Sequence, residues 1–328
     1  MRTWWVGCIA MLCGLVLGAA QAKEPSFSLV FAGDMALDDA PGALIERGGD
    51  PLAAFGPLFA QADVRIANLE CVVATLGESG QKNYTFRAHP RVLPVLRRHL
   101  DGVTLANNHS GDYGRHAFAE MLGLLQQAQL AQVGGGMNLA QAHTPWLVER
   151  QGLRMAVLSY NEFMPRSFEA GHDTPGIAWS EDEQVVDDIG HARSRYGADV
   201  VVVFMHWGWE NEHVANARQR RLARLMIDAG ADAVIGGHPH VTQDIERYRG
   251  KPIVYSVGNF VMKETDNEAQ RQGWVLQMDF DRHGASSLAT HVVRIGMDGI
   301  PHADPATPSP CWQRGQPEIG HCLAGQRP

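Results

Sequence analysis

The stretch Val200-Val201-Val202-Val203-Phe204-Met205-His206-Trp207-Gly208 decides how this chain is to be read. Six apolar residues in a row, mostly β-branched, suit a strand buried on both faces. The run stops at an imidazole, so a metal-capable side chain stands where the buried strand ends. Four further segments repeat the layout: residues 27–32 lead to Gly33-Asp34, 64–67 to Asn68-Leu69-Glu70, 103–106 to Asn107-Asn108-His109, and 233–235 to Gly236-Gly237-His238. Ligand groups that always follow the carboxyl side of an apolar run are the mark of an α/β sheet, whose sites form outside the carboxyl ends of its strands.

Between these strands the apolar spacing predicts helices over residues 116–130, 180–195 and 218–229. Ser180, three residues before Glu183, reads as a capping box, and Gly230 as the stop of the third helix. Later strands are expected at 155–159, 252–256, 274–280 and 288–295. The last two follow one another without a helix, which makes the sheet mixed. From Gly299 onward Pro, Gly and polar residues predict an irregular tail (299–328), anchored by a disulfide between Cys311 and Cys322.

The strand-end residues form a divalent-metal inventory. Asp34 is a hard oxygen donor, with Gly33 expected to supply an unusual backbone angle. Glu70 suits a bridge between two cations, or equally the first turn of a helix. In Asn107-Asn108-His109 an amide oxygen ligates while the adjacent imidazole stays free for proton transfer, oriented by Asp112. The alternative is a polar helix entry capped by His109 and Asp112. In His238-Pro239-His240 an extended backbone would turn both imidazoles to one face, and Pro239 would stiffen the turn. With His206, these donors favour Mn, Fe or Zn, as one ion or as two ions roughly 3.5–4 Å apart. Arg87 and His89 are assigned to anion binding, and Asn107 and Asn259 to the substrate side. The remaining histidines read as surface or structural residues.

The chain has 328 residues, 45% hydrophobic and 20% charged, enough for one large domain or two small ones. Its formal net charge of −8, with no long basic run, argues against nucleic acid as a partner. Residues 1–22 read as a signal peptide: Arg2 precedes an apolar stretch from Trp4 to Ala20, and Ala20-Gln21-Ala22 is a small-x-small cleavage site. The expectation is therefore an exported, periplasmic or extracellular domain spanning residues 23–298. An uncleaved anchor is the alternative, since about 17 apolar residues just span a bilayer. Cys71 would remain unpaired, as a small buried hydrophobe.

The segments His206-Trp207-Gly208, Asp228-Ala229-Gly230-Ala231-Asp232, Gly237-His238-Pro239-His240 and Tyr255-Ser256-Val257-Gly258-Asn259-Phe260 together resemble the bacterial CapA capsule-synthesis family. The Gly33-Asp34, Asn68-Leu69-Glu70 and Asn107-Asn108-His109-x-x-Asp112-x-Gly114 segments fit it too, so the resemblance covers about residues 27–264. That family is associated with poly-γ-glutamate capsules and belongs to the calcineurin-like metallophosphoesterases. The resemblance implies an α/β fold, a four-layer αββα sandwich with two mixed β-sheets. It also implies Asp34 and His240 on a first metal, Glu70 as the bridge, Asn108, His206 and His238 on a second, and His109 as proton donor. Two positions depart from the wider superfamily. Ala36 stands where a ligand histidine is usual, and Glu70 where a bridging Asp is usual, which leaves the first metal short of ligands.

The expected function is an exported, metal-dependent phosphoesterase-type hydrolase of capsule, poly-γ-glutamate or other cell-envelope polymer. Its partners would be an anionic polymer or phosphoester substrate and the envelope or capsule assembly machinery, with no nucleic acid. Two alternatives stay open: metal-assisted binding or export of an anionic polymer without catalysis, and hydrolysis of an amide at the same centre.

Overall fold

A computed structural model describes Met1 and residues 24–164, 166–263 and 265–324. The predicted signal peptide therefore lies, Met1 aside, outside the described residues. Among the described residues no helix is long and apolar enough to cross a membrane.

Two sheets build the molecule. Ten strands form the first, in the order Gly320–Cys322, Ser309–Gln313, Gly284–Ile295, Gln272–Asp281, Ser26–Met35, Val64–Leu69, Gly102–Thr104 and Ala131–Val133. Asn259–Val261 adds onto Ser26–Met35, and Pro301–Ala303 onto Gly284–Ile295. The second sheet has six strands, Ile245–Tyr248, Lys251–Val254, Ala233–Gly237, Val200–His206, Leu153–Asn161 and Trp146–Arg150. Both are mixed: Ser26–Met35 is antiparallel to Gln272–Asp281 and parallel to Val64–Leu69, and in the second sheet Val200–His206 is parallel to both of its neighbours while Ile245–Tyr248 is antiparallel to Lys251–Val254.

The alternation of side chains along these strands explains the layering. Phe27, Leu29 and Phe31 of the first sheet meet Val200, Val202 and Phe204 of the second in one core. Phe31 and Phe204 stack across it with ring centroids 4.8 Å apart, an arrangement worth about 0.5–1.5 kcal/mol beyond area burial. Val30 and Ala32 point outward to a layer that contains Leu96, Phe118 and Met121 from helices Leu93–His99 and Gly114–Gln127. On the opposite side Val201, Val203 and Met205 pack on Val185, Ile189, Leu222 and Met226 of helices Asp182–Ser194 and Ala217–Ala229. The result is the expected four-layer αββα sandwich. The central strands carry apolar residues on both faces because each face has a layer to bury against.

Three details differ from expectation. The helix predicted from Ser180 starts at Asp182 without a side-chain cap, because the Ser180 hydroxyl donates instead to Glu162 at 3.1 Å. The capping box belongs to the next helix, where Asn216 and Gln219 cap each other reciprocally. The tail from Gly299 is not irregular: Pro301–Ala303, Ser309–Gln313 and Gly320–Cys322 extend the first sheet, and Cys311 is bridged to Cys322. Its short, proline-interrupted strands carry no periodic signal of their own and become strands only by adding to an existing edge. Cys71 is buried and unpaired, and burial pushes its thiol far up, away from reactivity.

Candidate metal centre

Strand register sets out the site. In the first sheet Asp34 lies opposite Asn259 on one side and Asn68 on the other. In the second sheet His206 lies between Asn161 and Gly237. The strands reach further than the apolar runs suggested, so Asp34 and His206 are carried inside Ser26–Met35 and Val200–His206, His206 in regular register and Asp34 at an irregularity where the pairing shifts by a residue. The sandwich sets the two rows against each other, and the backbone N–H of His238 donates to Asp34 Oδ2 at 2.9 Å across them. Gly33 does not serve through an unusual backbone angle. A Cβ there would lie 2.0 Å from the Gly258 carbonyl oxygen, so glycine is needed for the close approach of neighbouring strands. Gly237 is needed for a similar reason, since a Cβ would come within 2.6 Å of Asp34 Oδ1.

Six predicted ligands converge here. Asn68 Nδ2 donates to Asp34 Oδ1 at 2.8 Å, while Asn68 Oδ1 accepts from Thr104 and Asn107, so the amide locks the carboxylate in place. His206 Nε2 lies 2.6 Å from Asn108 Oδ1, 3.1 Å from His238 Nδ1 and 3.4 Å from Glu70 Oε1. His240 Nδ1 is 2.8 Å from Asn259 Oδ1, which leaves Nε2 directed toward Glu70 Oε1 at 3.8 Å. Donor atoms of Asp34, Glu70 and His206, and of Glu70, His238 and His240, each fall within 4.8 Å of one another. Glu70 is common to both groups, as a bridging carboxylate must be. This division differs from the one implied by the family resemblance, yet contacts of both kinds coexist: His240 Nδ1 is also 3.7 Å from Asp34 Oδ2.

Whether these residues suit a cation is tested by the atoms left over. Both Glu70 carboxylate oxygens and His238 Nε2 are buried without a hydrogen-bond partner among the described residues. A buried carboxylate without such partners costs several kcal/mol unless a positive charge faces it, so the donor set fits a divalent metal. Burial alone would raise Glu70, but the charges of His240 and His206 outweigh it and hold the carboxyl down at about 2. Burial and the Glu70 charge push Asp34 above its ordinary value. Burial, then His206 and His240, drive His238 well below 6.5, which keeps the lone pair of one ring nitrogen free. For His240, Glu70 and Asp34 overcome the burial that opposes its charge, and raise it.

The His-Pro-His segment reaches the site by an unexpected route. The backbone is not extended: His238 has φ +92° and His240 has φ +57°, both left-handed. Non-glycine residues held in that region are commonly found at functional sites, where the surroundings enforce the strain. Here the His238 N–H to Asp34 and the Phe163 ring, 3.8 Å from the His238 ring centroid to centroid, hold the conformation.

His109 stands apart from the candidate ligands. Its Nδ1 lies 2.7 Å from Asp112 Oδ2, and Phe86 packs on its ring with centroids 4.2 Å apart. Asp112 is fully buried and also accepts from Lys82 Nζ at 2.7 Å and the Phe86 N–H at 2.8 Å. Neither residue caps the following helix, whose N-cap is Tyr113. His109 therefore presents Nε2 to a cavity of about 360 Å³ that is also lined by Tyr84, Glu210, His240, Asn259 and Lys263.

The substrate-side assignments fare unevenly. Asn259 lines that cavity and also orients His240. Asn107 does not face it: it is fully buried, donates to Asn68 Oδ1 and the Leu69 carbonyl, and accepts from the His109 N–H, so it shapes the loop. Arg87 and His89 line a different cavity with Asp38, Asp39, Glu46 and Arg91. Arg87 lies over the Tyr113 ring, and the His89 ring accepts from the Arg91 N–H as a short-helix cap. Sequence reasoning missed Phe163, Lys82, Glu210 and Lys263. Asn68 was in view within Asn68-Leu69-Glu70, but not as the group that fixes Asp34.

With this geometry established, comparison with known proteins gives it a context. The model of the bacterial capsule synthesis protein family PGA_cap matches residues 28–264. The PGA biosynthesis protein CapA of Bacillus subtilis is 34% identical over 244 residues, covering 71% of this chain and 60% of the relative. The capsule biosynthesis protein CapA of Bacillus anthracis is 34% identical over 179 residues, covering 54% of this chain and 42% of the relative. The chain thus spans about half the length of these curated relatives. Among solved structures, a novel phosphatase from Mycoplasma pneumoniae superposes with a TM-score of 0.55 at 14% identity, covering 86% of this chain and 96% of that one. A hypothetical protein from Thermus thermophilus gives 0.53 at 16% identity, covering 81% and 98%. The fold is metallophosphatase-like, and the chain belongs to the PGA_cap family of bacterial capsule synthesis proteins.

Proposed function

We propose that this chain is an exported, metal-dependent hydrolase of the phosphoesterase type, acting on an anionic polymer or phosphoester of capsule or cell-envelope metabolism. The observation that carries the reading is Glu70: a fully buried carboxylate without hydrogen-bond partners among the described residues, common to two groups of candidate ligand atoms. Asp34, Glu70, Asn108, His206, His238 and His240 would hold one or two divalent cations of the Mn, Fe or Zn kind. A bound cation would supply Lewis acidity and a more acidic water at this position. The chain's own residues do the rest. Asn68 and the His238 N–H fix Asp34, and Asn259 orients His240. Asp112 orients His109 through Nδ1, so that Nε2 can protonate the leaving oxygen. Phe86 and Phe163 pack on the ring faces of His109 and His238. Export rests on the apolar stretch that precedes Ala20-Gln21-Ala22.

The test is hydrolysis of an aryl phosphomonoester and phosphodiester after chelation and reloading with Mn or Zn. Wild type should recover turnover with metal, and His238→Ala should not. Bound metal without turnover on any ester would favour a second reading, metal-assisted binding or export of the polymer without cleavage. One observation speaks for that reading. Ala36 is fully buried, its N–H is paired with the Val261 carbonyl at 2.8 Å, and it offers no ligand atom.

A further inference from the structure

The cavity that His240 and His109 line also holds a cation that the chemistry above does not use. Lys263 lies two residues beyond Asn259–Val261, on the segment whose Asn259 orients His240. Its Nζ sits 4.4 Å from the Tyr84 ring centroid and 5.3 Å from that of Phe86. Phe86 is also the ring that packs on His109, so one aromatic side chain braces both the proton donor and the ammonium. A cation–π contact fixes where an ammonium points without neutralising its charge. Among the described residues Lys263 forms no ion pair with a carboxylate. Asp38 feels its charge at a distance, and burial has already pushed that carboxyl up to about 6. An ammonium held in place, unpaired and facing a reaction cavity is poised for an anion.

We propose that Lys263 is a specificity-determining residue that receives a carboxylate of the substrate, next to the bond presented to the metal cluster. A carboxylate matches this subsite better than a phosphate does. Among the cavity-lining residues described, Lys263 is the one lysine or arginine, and Glu210 is a carboxylate that would oppose a dianion. Asn259, Thr265 and Gln270 are neutral and hydrogen-bonded to His240, to one another and to Asn211, so they bring no charge that competes with Lys263. The inference rests on reading the cluster as a metal-dependent substrate site, and the experiment separates the two.

An N-acetylated γ-linked glutamate tripeptide and its fully methyl-esterified, neutral form are titrated calorimetrically into the full chain, manganese-loaded and chelator-treated, for wild type, Lys263→Gln and Lys263→Arg. Wild type should prefer the acid by roughly 10-fold or more, the usual size of a contact to a charged group. Lys263→Gln should abolish that preference while leaving ester affinity unchanged, and Lys263→Arg should keep most of it. Equal weakening of acid and ester in Lys263→Gln would mean that the lysine only pins its loop to Tyr84 and Phe86, and would overturn the inference. So would a wild type without preference, or one that binds an alkyl phosphate more tightly than the acid. If chelation changes nothing while the Lys263-dependent preference persists, the metal reading fails and the carboxylate subsite stands.

Discussion

Replacing His109 by alanine tests the proposed chemistry at one atom. The imidazole is held by Asp112 at Nδ1 and by Phe86 on its face, so only Nε2 is free to exchange a proton with a bound substrate. Positioned proton transfer contributes about 10²–10⁴-fold, which at 1.36 kcal/mol per decade is roughly 3–5 kcal/mol of barrier. His109→Ala should therefore lower kcat by about that factor on an ester with a poor, alkoxide-like leaving group. The loss should shrink for a nitrophenyl ester, whose leaving oxygen needs little protonation. Metal content should not change, because His109 belongs to neither group of ligand atoms. Asp112→Asn should act in the same direction but is less clean. Asp112 accepts from His109, the Phe86 N–H and Lys82, so an amide nitrogen at either oxygen position meets a donor. Steady-state kinetics on the two leaving groups, beside elemental analysis, decides the matter. Unchanged turnover on the poor leaving group, or metal lost in proportion to activity, would refute the assignment.

Three further outcomes follow from the structure. Gly237→Ala places a methyl 2.6 Å from Asp34 Oδ1 and 3.0 Å from Phe204, and should cost about 1–3 kcal/mol of stability by overpacking, together with a weaker metal affinity by titration; undiminished affinity would show that Asp34 is not a ligand. Burial, reinforced by Asp39, raises Asp38 from 3.8 to about 6, so the folded state binds that proton more tightly than the unfolded chain. The associated stability is present below pH 3.8 and lost as pH rises through about 6. Urea melts should then show Asp38→Asn gaining up to about 3 kcal/mol on wild type between pH 4 and 7, and a pH-independent difference would contradict this. Opening the Cys311–Cys322 bridge, which spans 11 residues, should cost about 3 kcal/mol on the loop-entropy estimate. It should leave metal content untouched, since the tail strands lie at the edge of the first sheet away from the site; metal loss would show coupling.

What was legible in the sequence was whatever the strands carry at their ends. The Val200–His206 strand announced itself by composition, and Asp34, Glu70, Asn108, His206, His238 and His240 were visible as polar stops after apolar runs. Four layers were not visible in the periodicity, because residues buried against helices and residues buried in the sandwich are equally apolar. They entered through family resemblance. The backbone at the site was misread for a related reason. The left-handed conformations of His238 and His240 and the close approach at Gly33 come from contacts between distant strands, which no local propensity reports. Arg87 and His89 were drawn toward the substrate by their charge alone, whereas their strand and turn carry them to another cavity. Lys263 and Glu210 escaped notice because only the fold brings them to the mouth of the pocket.

The central claim is that Glu70 and its neighbours hold divalent cations, and elemental analysis of purified, chelated and manganese-reloaded protein tests it most directly. The account predicts one or two ions per chain for wild type and for Arg87→Ala, and a clear loss in Glu70→Gln, which removes the charge at the position both ligand groups share. A wild type that takes up no metal, or a Glu70→Gln variant that keeps its full complement, would contradict it.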